Sequence, residues 1–251
     1  MSNLIVAVTG ATSGFGEAIA RRFIQDGAKV IGLARRQEKL DRLGKELGAK
    51  FLGVPLDVQD KKAVQKAFST LPKDFKNISV LVNNAGLALG IDPAQKSKLE
   101  DWEQMVQTNI NGLLYCTHAV LPDMVERKEG HIINLGSVAG EFPYPGGNVY
   151  GGTKAFVHQF SLNLRADLLG TPIRVTNIEP GLCGGTEFSQ VRFKGDESKA
   201  KKVYEGTNPL TSEDIAETVS WIVNLPKRVN INTISMMPVG QAFSPFAVDR
   251  K

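Results

Sequence analysis

The chain has 251 residues, 42% of them hydrophobic and 22% charged, with a formal net charge of +4 and an isoelectric point near 9.0. This is an ordinary globular composition with enough chain for a sizeable core, and no linker, charge block or repeat divides it, so one domain is expected. Lysines and arginines alternate with acids through helical stretches, which reads as solvated faces rather than a nucleic-acid stripe, although a mildly positive field suits an anionic ligand.

Leu4 to Thr9 is apolar, rich in β-branched residues and runs into glycines, while Ala18, Ile19 and Phe23 recur at helical spacing between Glu17 and Gln25. Strand, turn and helix are expected in that order. Lys29 to Leu33 reads as a second strand, Gln37 to Leu47 as a charged helix, Phe51 to Leu56 as a third strand and Asp60 to Phe68 as a helix. Ile78 to Val82 is a short buried strand, and Trp102 to Leu121 a long helix stopped by Pro122. Ile132 to Leu135, the helix Tyr150 to Leu168 and the strand Arg174 to Ile178 follow. Ser212 opens an imperfect capping box for a helix through Val223, and Thr233 to Met237 is the last strand.

Strands alternating with helices imply an α/β fold: a single-domain, Rossmann-like doubly wound parallel sheet with helices on both faces. About 1–140 would form a cofactor half, and about 141–251 the catalytic helix and a substrate lid. No apolar stretch approaches the length of a bilayer span, and the short N-terminal apolar run lacks a basic leader, so neither a membrane protein nor a secretion signal is expected. Cys116 and Cys183 stand in unlike contexts, and His118, His131 and His158 are dispersed. A cytoplasmic protein without disulfides or metal is expected.

In open parallel sheets ligands bind beyond the carboxyl ends of the strands. After the first strand stands Thr9-Gly10-Ala11-Thr12-Ser13-Gly14-Phe15-Gly16. Gly10 permits a tight turn, Gly14 lets the backbone approach a pyrophosphate and Gly16 lets the helix pack on the strand, so Gly10 to Gly16 are candidate dinucleotide-binding residues. After the second strand, where a carboxylate would hold the ribose diol of NAD, the chain reads Leu33-Ala34-Arg35-Arg36, with no acid until Glu38. Two guanidinium groups there fit a 2′-phosphate and point to NADP; the plainer alternative for Arg36 is the start of a solvated helix.

Asn83-Asn84-Ala85-Gly86 follows the fourth strand, Asn109 lies in the long helix, Ser137 follows the strand ending at Leu135, and Tyr150-Gly151-Gly152-Thr153-Lys154 opens the next helix. Spaced i and i+4, Tyr150 and Lys154 share one helical face, so the ammonium is expected to favour the phenolate and lower its pKa from about 10. A tyrosine so placed exchanges a proton with a substrate oxygen that Ser137 holds by a hydrogen bond. A packed tyrosine, a surface lysine, a cap serine and a core amide are the plainer alternatives.

Together these segments resemble the short-chain dehydrogenase/reductase family, in order and separation, over nearly the whole chain. The resemblance implies that Lys154 also holds the nicotinamide ribose and that Asn109 orders a water linking Lys154 to solvent. It puts Asp57 and Val58 at the adenine, Asn84 at the adenosine ribose side, and Glu179-Pro180-Gly181 with Leu182, Thr186 and Phe188 over the nicotinamide. The segment departs from the family pattern by one extra residue between Gly181 and Thr186, so the Thr186 contact depends on Gly184 and Gly185 absorbing it. Gly151, Gly152 and Ala155 on the catalytic helix suggest close packing against another subunit, and the resemblance implies a homo-oligomer, dimer or tetramer.

The segments Phe142 to Val149, Thr186 to Gly195 and Met236 to Val239 are more closely similar to bacterial NADP-dependent 3-hydroxy acid dehydrogenases acting on serine and allo-threonine. That similarity implies a small hydroxy acid or carbonyl substrate. Arg192, the only arginine of the lid, is the candidate for its carboxylate, with Lys194 as a lesser one. A broad carbonyl reductase for uncharged ketones and an NADP(H)-binding sensor remain as alternatives.

Overall fold

The computed structural model describes residues 4–243. Its first half alternates β1 (Ile5–Thr9), α1 (Gly14–Gln25), β2 (Lys29–Ala34), α2 (Gln37–Leu47), β3 (Phe51–Pro55), α3 (Lys61–Ser69) and β4 (Val80–Asn83). The second half runs through α4 (Leu99–Val106), α5 (Leu113–Glu126), β5 (His131–Leu135), α6 (Asn148–Asp167) and β6 (Arg174–Pro180). Two short helices, α7 (Phe188–Arg192) and α8 (Glu197–Lys202), precede α9 (Ser212–Asn224) and β7 (Thr233–Met236).

All seven strands pair in parallel in the order β3-β2-β1-β4-β5-β6-β7. Side chains of β1 show why the strands read as continuous apolar runs. Val6 and Val8 pack with α1, α2 and α9 on one face, whereas Ile5 and Ala7 pack with α3, α5 and α6 on the other. A strand covered on both faces has no polar side to alternate. Because the chain winds outward from β1 in one direction and from β4 in the other, a crevice opens between their carboxyl ends.

Three local expectations are corrected. The long helix does not run unbroken from Trp102: α4 and α5 are joined through a π-helical turn, Gln107–Gly112, at which Gly112 makes room for Val58. Nor does Pro122 stop it, for α5 continues to Glu126. Pro122 and His118, whose carbonyl loses its i+4 donor there, are both exposed, so the break in the hydrogen-bond ladder falls on the outer face of the helix. The cap of α9 is Thr211, not Ser212: Thr211 Oγ1 accepts from Asp214 N at 3.2 Å while Asp214 Oδ2 accepts from Thr211 N at 2.8 Å.

Candidate active site

A cleft of about 750 Å³ lies over the carboxyl ends of the strands. Its floor is the loop between β1 and α1. Gly10 has φ +69° and Gly14 φ +50°, both in the left-handed region. A Cβ on Gly16 would stand 2.3 Å from the Gly10 carbonyl oxygen, so glycine there lets α1 pack against the turn. Ser13, the N-cap of α1, makes no side-chain cap bond, which leaves the first-turn amides for an anion at the positive end of the helix dipole. Gly10, Thr12, Ser13, Gly14 and Phe15 line the cleft; Ala11 does not, its side chain being fully buried in the core, and Gly16 acts through packing. Asn84 lines the cleft too, but its amide donates to Thr9 O at 2.8 Å, fastening β4 to the loop.

Arg35 and Arg36 stand at the next rim, with Asp57 and Val58 beyond them. Arg35 is exposed. Arg36 is the N-cap residue of α2, and its guanidinium turns across the cleft to Glu187 at 2.8 Å and towards Thr12 Oγ1 at 3.4 Å. Lys39 meets the same carboxylate at 2.8 Å. These cations hold the Glu187 carboxyl down at about 2, Arg36 foremost.

The opposite end gathers the candidate catalytic side chains. Helix α6 begins beside the turn that follows β5: a Cβ on Gly140 would lie 2.7 Å from the Lys154 carbonyl carbon, and one on Gly151 2.9 Å from Ala139 O. Gly151 therefore packs within the chain, while Gly152 faces open space. This close approach brings Ser137, Tyr150 and Lys154 into one wall of the cleft. Ser137 Oγ accepts from Ala139 N at 3.1 Å and donates to Pro180 O at 3.5 Å. Lys154 Nζ donates to Leu135 O at 2.7 Å and lies 5.8 Å from the centre of the Tyr150 ring.

The expected lowering of the phenol by Lys154 is not what this geometry produces. Burial dominates and pushes Tyr150 up to about 12, with the neighbouring Ser137 hydroxyl and the Arg192 cation drawing it back. Burial also lowers Lys154 to about 8. Asn109 lies in the π-helical turn, outside the cleft lining. Its amide donates to Leu87 O at 2.9 Å and Thr153 Oγ1 at 3.0 Å, and its Oδ1 accepts from Leu87 N at 2.9 Å. The side chain thus braces the loop after β4 against α6, and the expected water link has a single remaining lone pair of Oδ1 to rest on. A Cβ on Gly86 would sit 3.3 Å from that oxygen and 3.6 Å from Lys154 Nζ. Glycine keeps this side of Lys154 open, and with the uncapped amides of α1 it fits a dinucleotide laid from the Arg35 rim to Lys154.

The roof is the segment after β6. Leu182 and Gly184 bond with Leu210, and Gly185 takes φ +70°, so the extra residue is absorbed and Thr186 reaches the loop at Gly14, where its side chain would lie 3.1 Å from a Cβ. Pro180, Gly181 and Leu182 line the cleft beside it. Phe188 packs edge-on to Tyr150, with ring centres 5.7 Å apart. Arg192 donates through Nη2 to Tyr144 Oη at 2.6 Å and through Nε to Gly90 O at 3.2 Å, its guanidinium 5.8 Å from the centre of the Tyr150 ring. Lys194 points elsewhere, to Asp101 at 2.7 Å. Burial raises the Cys183 thiol to about 12, so it is a lining group rather than a nucleophile.

Glu187, Lys39 and Tyr144 were not singled out from the sequence. Lys39 on α2 and Tyr144 before α6 meet Glu187 and Arg192 only because the lid crosses the cleft, for which no local pattern exists. Among the described residues no cluster of His, Cys, Asp and Glu could hold a metal, and no helix is long and apolar enough to cross a membrane.

A glycine loop at the sheet's switch point, a basic rim and a buried tyrosine–lysine pair define a dinucleotide-dependent oxidoreductase. The chain belongs to the short chain dehydrogenase family, whose model matches residues 4–197. It is 61% identical over 247 residues to the NADP-dependent 3-hydroxy acid dehydrogenase of Salmonella typhi, covering 98% of this chain and 100% of the relative. It is also 54% identical over 246 residues to the serine 3-dehydrogenase of Rhizobium radiobacter, covering 98% of each. Among solved structures, the closed form of a serine dehydrogenase complexed with NADP+ matches with a TM-score of 0.98 at 60% identity, covering 99% of this chain and 100% of that one.

Proposed function

We propose that the protein is an NADP-dependent dehydrogenase that oxidises the 3-hydroxyl of small 3-hydroxy acids, of the L-serine, L-allo-threonine and 3-hydroxypropionate type, or reduces the corresponding carbonyl. The observation that carries this reading is a cation, Arg192, 5.8 Å from the centre of the Tyr150 ring in the same cleft as Ser137 and Lys154. A hydroxy acid needs both: a proton-exchanging oxygen at its reacting end and a cation at its carboxylate.

The glycine loop would hold the pyrophosphate on the first-turn amides of α1, with Arg35 and Arg36 at the 2′-phosphate. Asp57 and Val58 would flank the adenine, and Pro180, Gly181, Leu182 and Thr186 the nicotinamide. NADP, when bound, accepts or supplies the hydride. Tyr150, which keeps its proton at neutral pH, gives that proton to the carbonyl oxygen in the reductive direction and is left as phenolate; in the oxidative direction the phenol must first release its proton to solvent, and the phenolate then takes the proton of the substrate hydroxyl. Ser137 turns its hydroxyl from Pro180 O to the substrate oxygen, and Lys154, protonated below about pH 8, would hold the nicotinamide ribose. Asn109 acts as a positioning residue, fixing Thr153 and the Leu87 loop beside Lys154.

The protein is further proposed to work in the cytoplasm as a homo-oligomer. Two free cysteines support the compartment, and the outward face of α6 at Gly152 and exposed Ala155 supports close approach by a second chain. The functional test is a panel: NADP+ reduction with L-serine and 3-hydroxy acids against NADPH oxidation with uncharged ketones, using wild type and Tyr150→Phe. Turnover of the acids, abolished by Tyr150→Phe with NADPH binding intact, is expected. Turnover of ketones alone, or near-normal turnover by the variant, would overturn the proposal.

A further inference from the structure

The basic rim reserved for the 2′-phosphate is already engaged by an anion of the chain itself. Glu187 begins the lid and lies 151 positions beyond Arg36, yet its Oε2 accepts from Arg36 Nη2 at 2.8 Å and its Oε1 from Nη1 at 3.2 Å. Lys39 Nζ donates to Oε1 at 2.8 Å. The same Arg36 Nη2 faces Thr12 O and Oγ1 at 3.5 and 3.4 Å, so this guanidinium belongs to the glycine loop as well as to the lid. A carboxylate and a phosphate monoester offer the same pair of oxygens to a guanidinium fork, and Glu187 occupies the Nη1/Nη2 edge of Arg36, so a phosphate seeking that edge must displace it. Like charges at this distance repel, which sets the carboxylate against an incoming phosphate.

We propose, on the reading that the cofactor is NADP, that Glu187 is an internal competitor of the 2′-phosphate for Arg36. The phosphate takes the guanidinium, and the carboxylate yields it while remaining on Lys39. Three cations, Arg35, Arg36 and Lys39, against one carboxylate leave a net positive charge at the rim, so the phosphorylated cofactor is still preferred, but less strongly than the three cations alone would prefer it. Since Glu187 sits directly before α7, whose far end is Arg192, the exchange also ties cofactor binding to the element that carries the acid-recognising guanidinium. Glu187 is thereby a specificity-determining residue that tempers cofactor affinity.

The exchange is read with nucleotide fragments and needs no turnover. Dissociation constants of 2′,5′-ADP and 5′-AMP are measured by calorimetry on the full chain, for wild type, Glu187→Gln, Arg36→Ala and the double variant. The three side chains are each between a quarter and two-fifths exposed, so solvent screening limits the effect. Glu187→Gln is expected to bind 2′,5′-ADP roughly two- to fivefold more tightly, the range of an exposed ion pair, with 5′-AMP unchanged. In the Arg36→Ala background the same substitution is expected to give a smaller gain, since only the direct repulsion between carboxylate and phosphate is then removed. Equal shifts for both nucleotides, weaker 2′,5′-ADP binding, or a gain undiminished by Arg36→Ala would overturn the competition. A wild type with no preference for 2′,5′-ADP would instead overturn the NADP reading beneath it.

Discussion

Replacing Arg192 with alanine tests whether the lid guanidinium recognises a carboxylate. The group is set in place before substrate arrives: Nη2 is held by Tyr144 Oη at 2.6 Å and Nε by Gly90 O at 3.2 Å, with the Tyr144 and Tyr150 ring centres 5.3 and 5.8 Å from the guanidinium carbon. The remaining nitrogen, Nη1, has no protein partner among the described residues, and Arg192 lines the cleft. A charged hydrogen bond in such a half-buried site contributes about 1.5–3 kcal/mol, or roughly 10- to 150-fold in kcat/KM. Arg192 also lowers the Tyr150 pKa, and alanine removes that help, but this loss falls on every substrate and cancels in a ratio. The assay is therefore kcat/KM for L-serine divided by kcat/KM for an uncharged alcohol or ketone, wild type against Arg192→Ala. Arg192→Lys, which keeps the charge but loses the fork, should fall between them. An unchanged ratio, with both substrates failing in parallel, would refute the clamp and leave Arg192 as a brace between the Gly90 and Tyr144 loops.

Arg35→Ala should weaken NADPH by about 1.5–3 kcal/mol at most, less with exposure, and leave NADH nearly untouched; equal weakening in fluorescence titrations would contradict a phosphate contact. Thr211→Ala should cost about 1 kcal/mol in urea unfolding, since it removes the cap of α9. Ser212→Ala should cost close to nothing, its buried hydroxyl having no partner; the reverse ranking would restore Ser212 as the cap. His131 is buried on β5 and its pKa is lowered to about 3, chiefly by burial and then by the Arg174 charge. Its folded pKa lies below its unfolded one, so its contribution is complete above about pH 6.5 and is lost as pH falls towards 3, by at most about 1.4 kcal/mol per pH unit. His131→Gln should flatten the acid limb of unfolding free energy against pH, and an identical slope would show that His131 is not its source.

Whatever depends on neighbours along the chain was legible in the residues alone. Val6 to Val8 had to be buried on both faces because nothing polar alternates with them, and parallel strands with intervening helices then followed. Gly10, Gly14 and Gly16 announced a turn that only they allow, and the four-residue spacing of Tyr150 and Lys154 put both on one face of α6. Tertiary structure alone decided the rest. Whether Lys154 would lower the Tyr150 phenol depended on burial against charge, and burial won. Which partners the Asn109 amide takes depended on Leu87 and Thr153, which only packing brings to it. The largest surprise is at the basic rim, where sequence showed no acid before Glu38 and the fold delivers Glu187 from the lid. Short-range pattern fixes backbone conformation because sterics and hydrogen bonds act within a few residues; the meeting of charges 151 positions apart is set by how the lid crosses the sheet's edge, and no local signal encodes it.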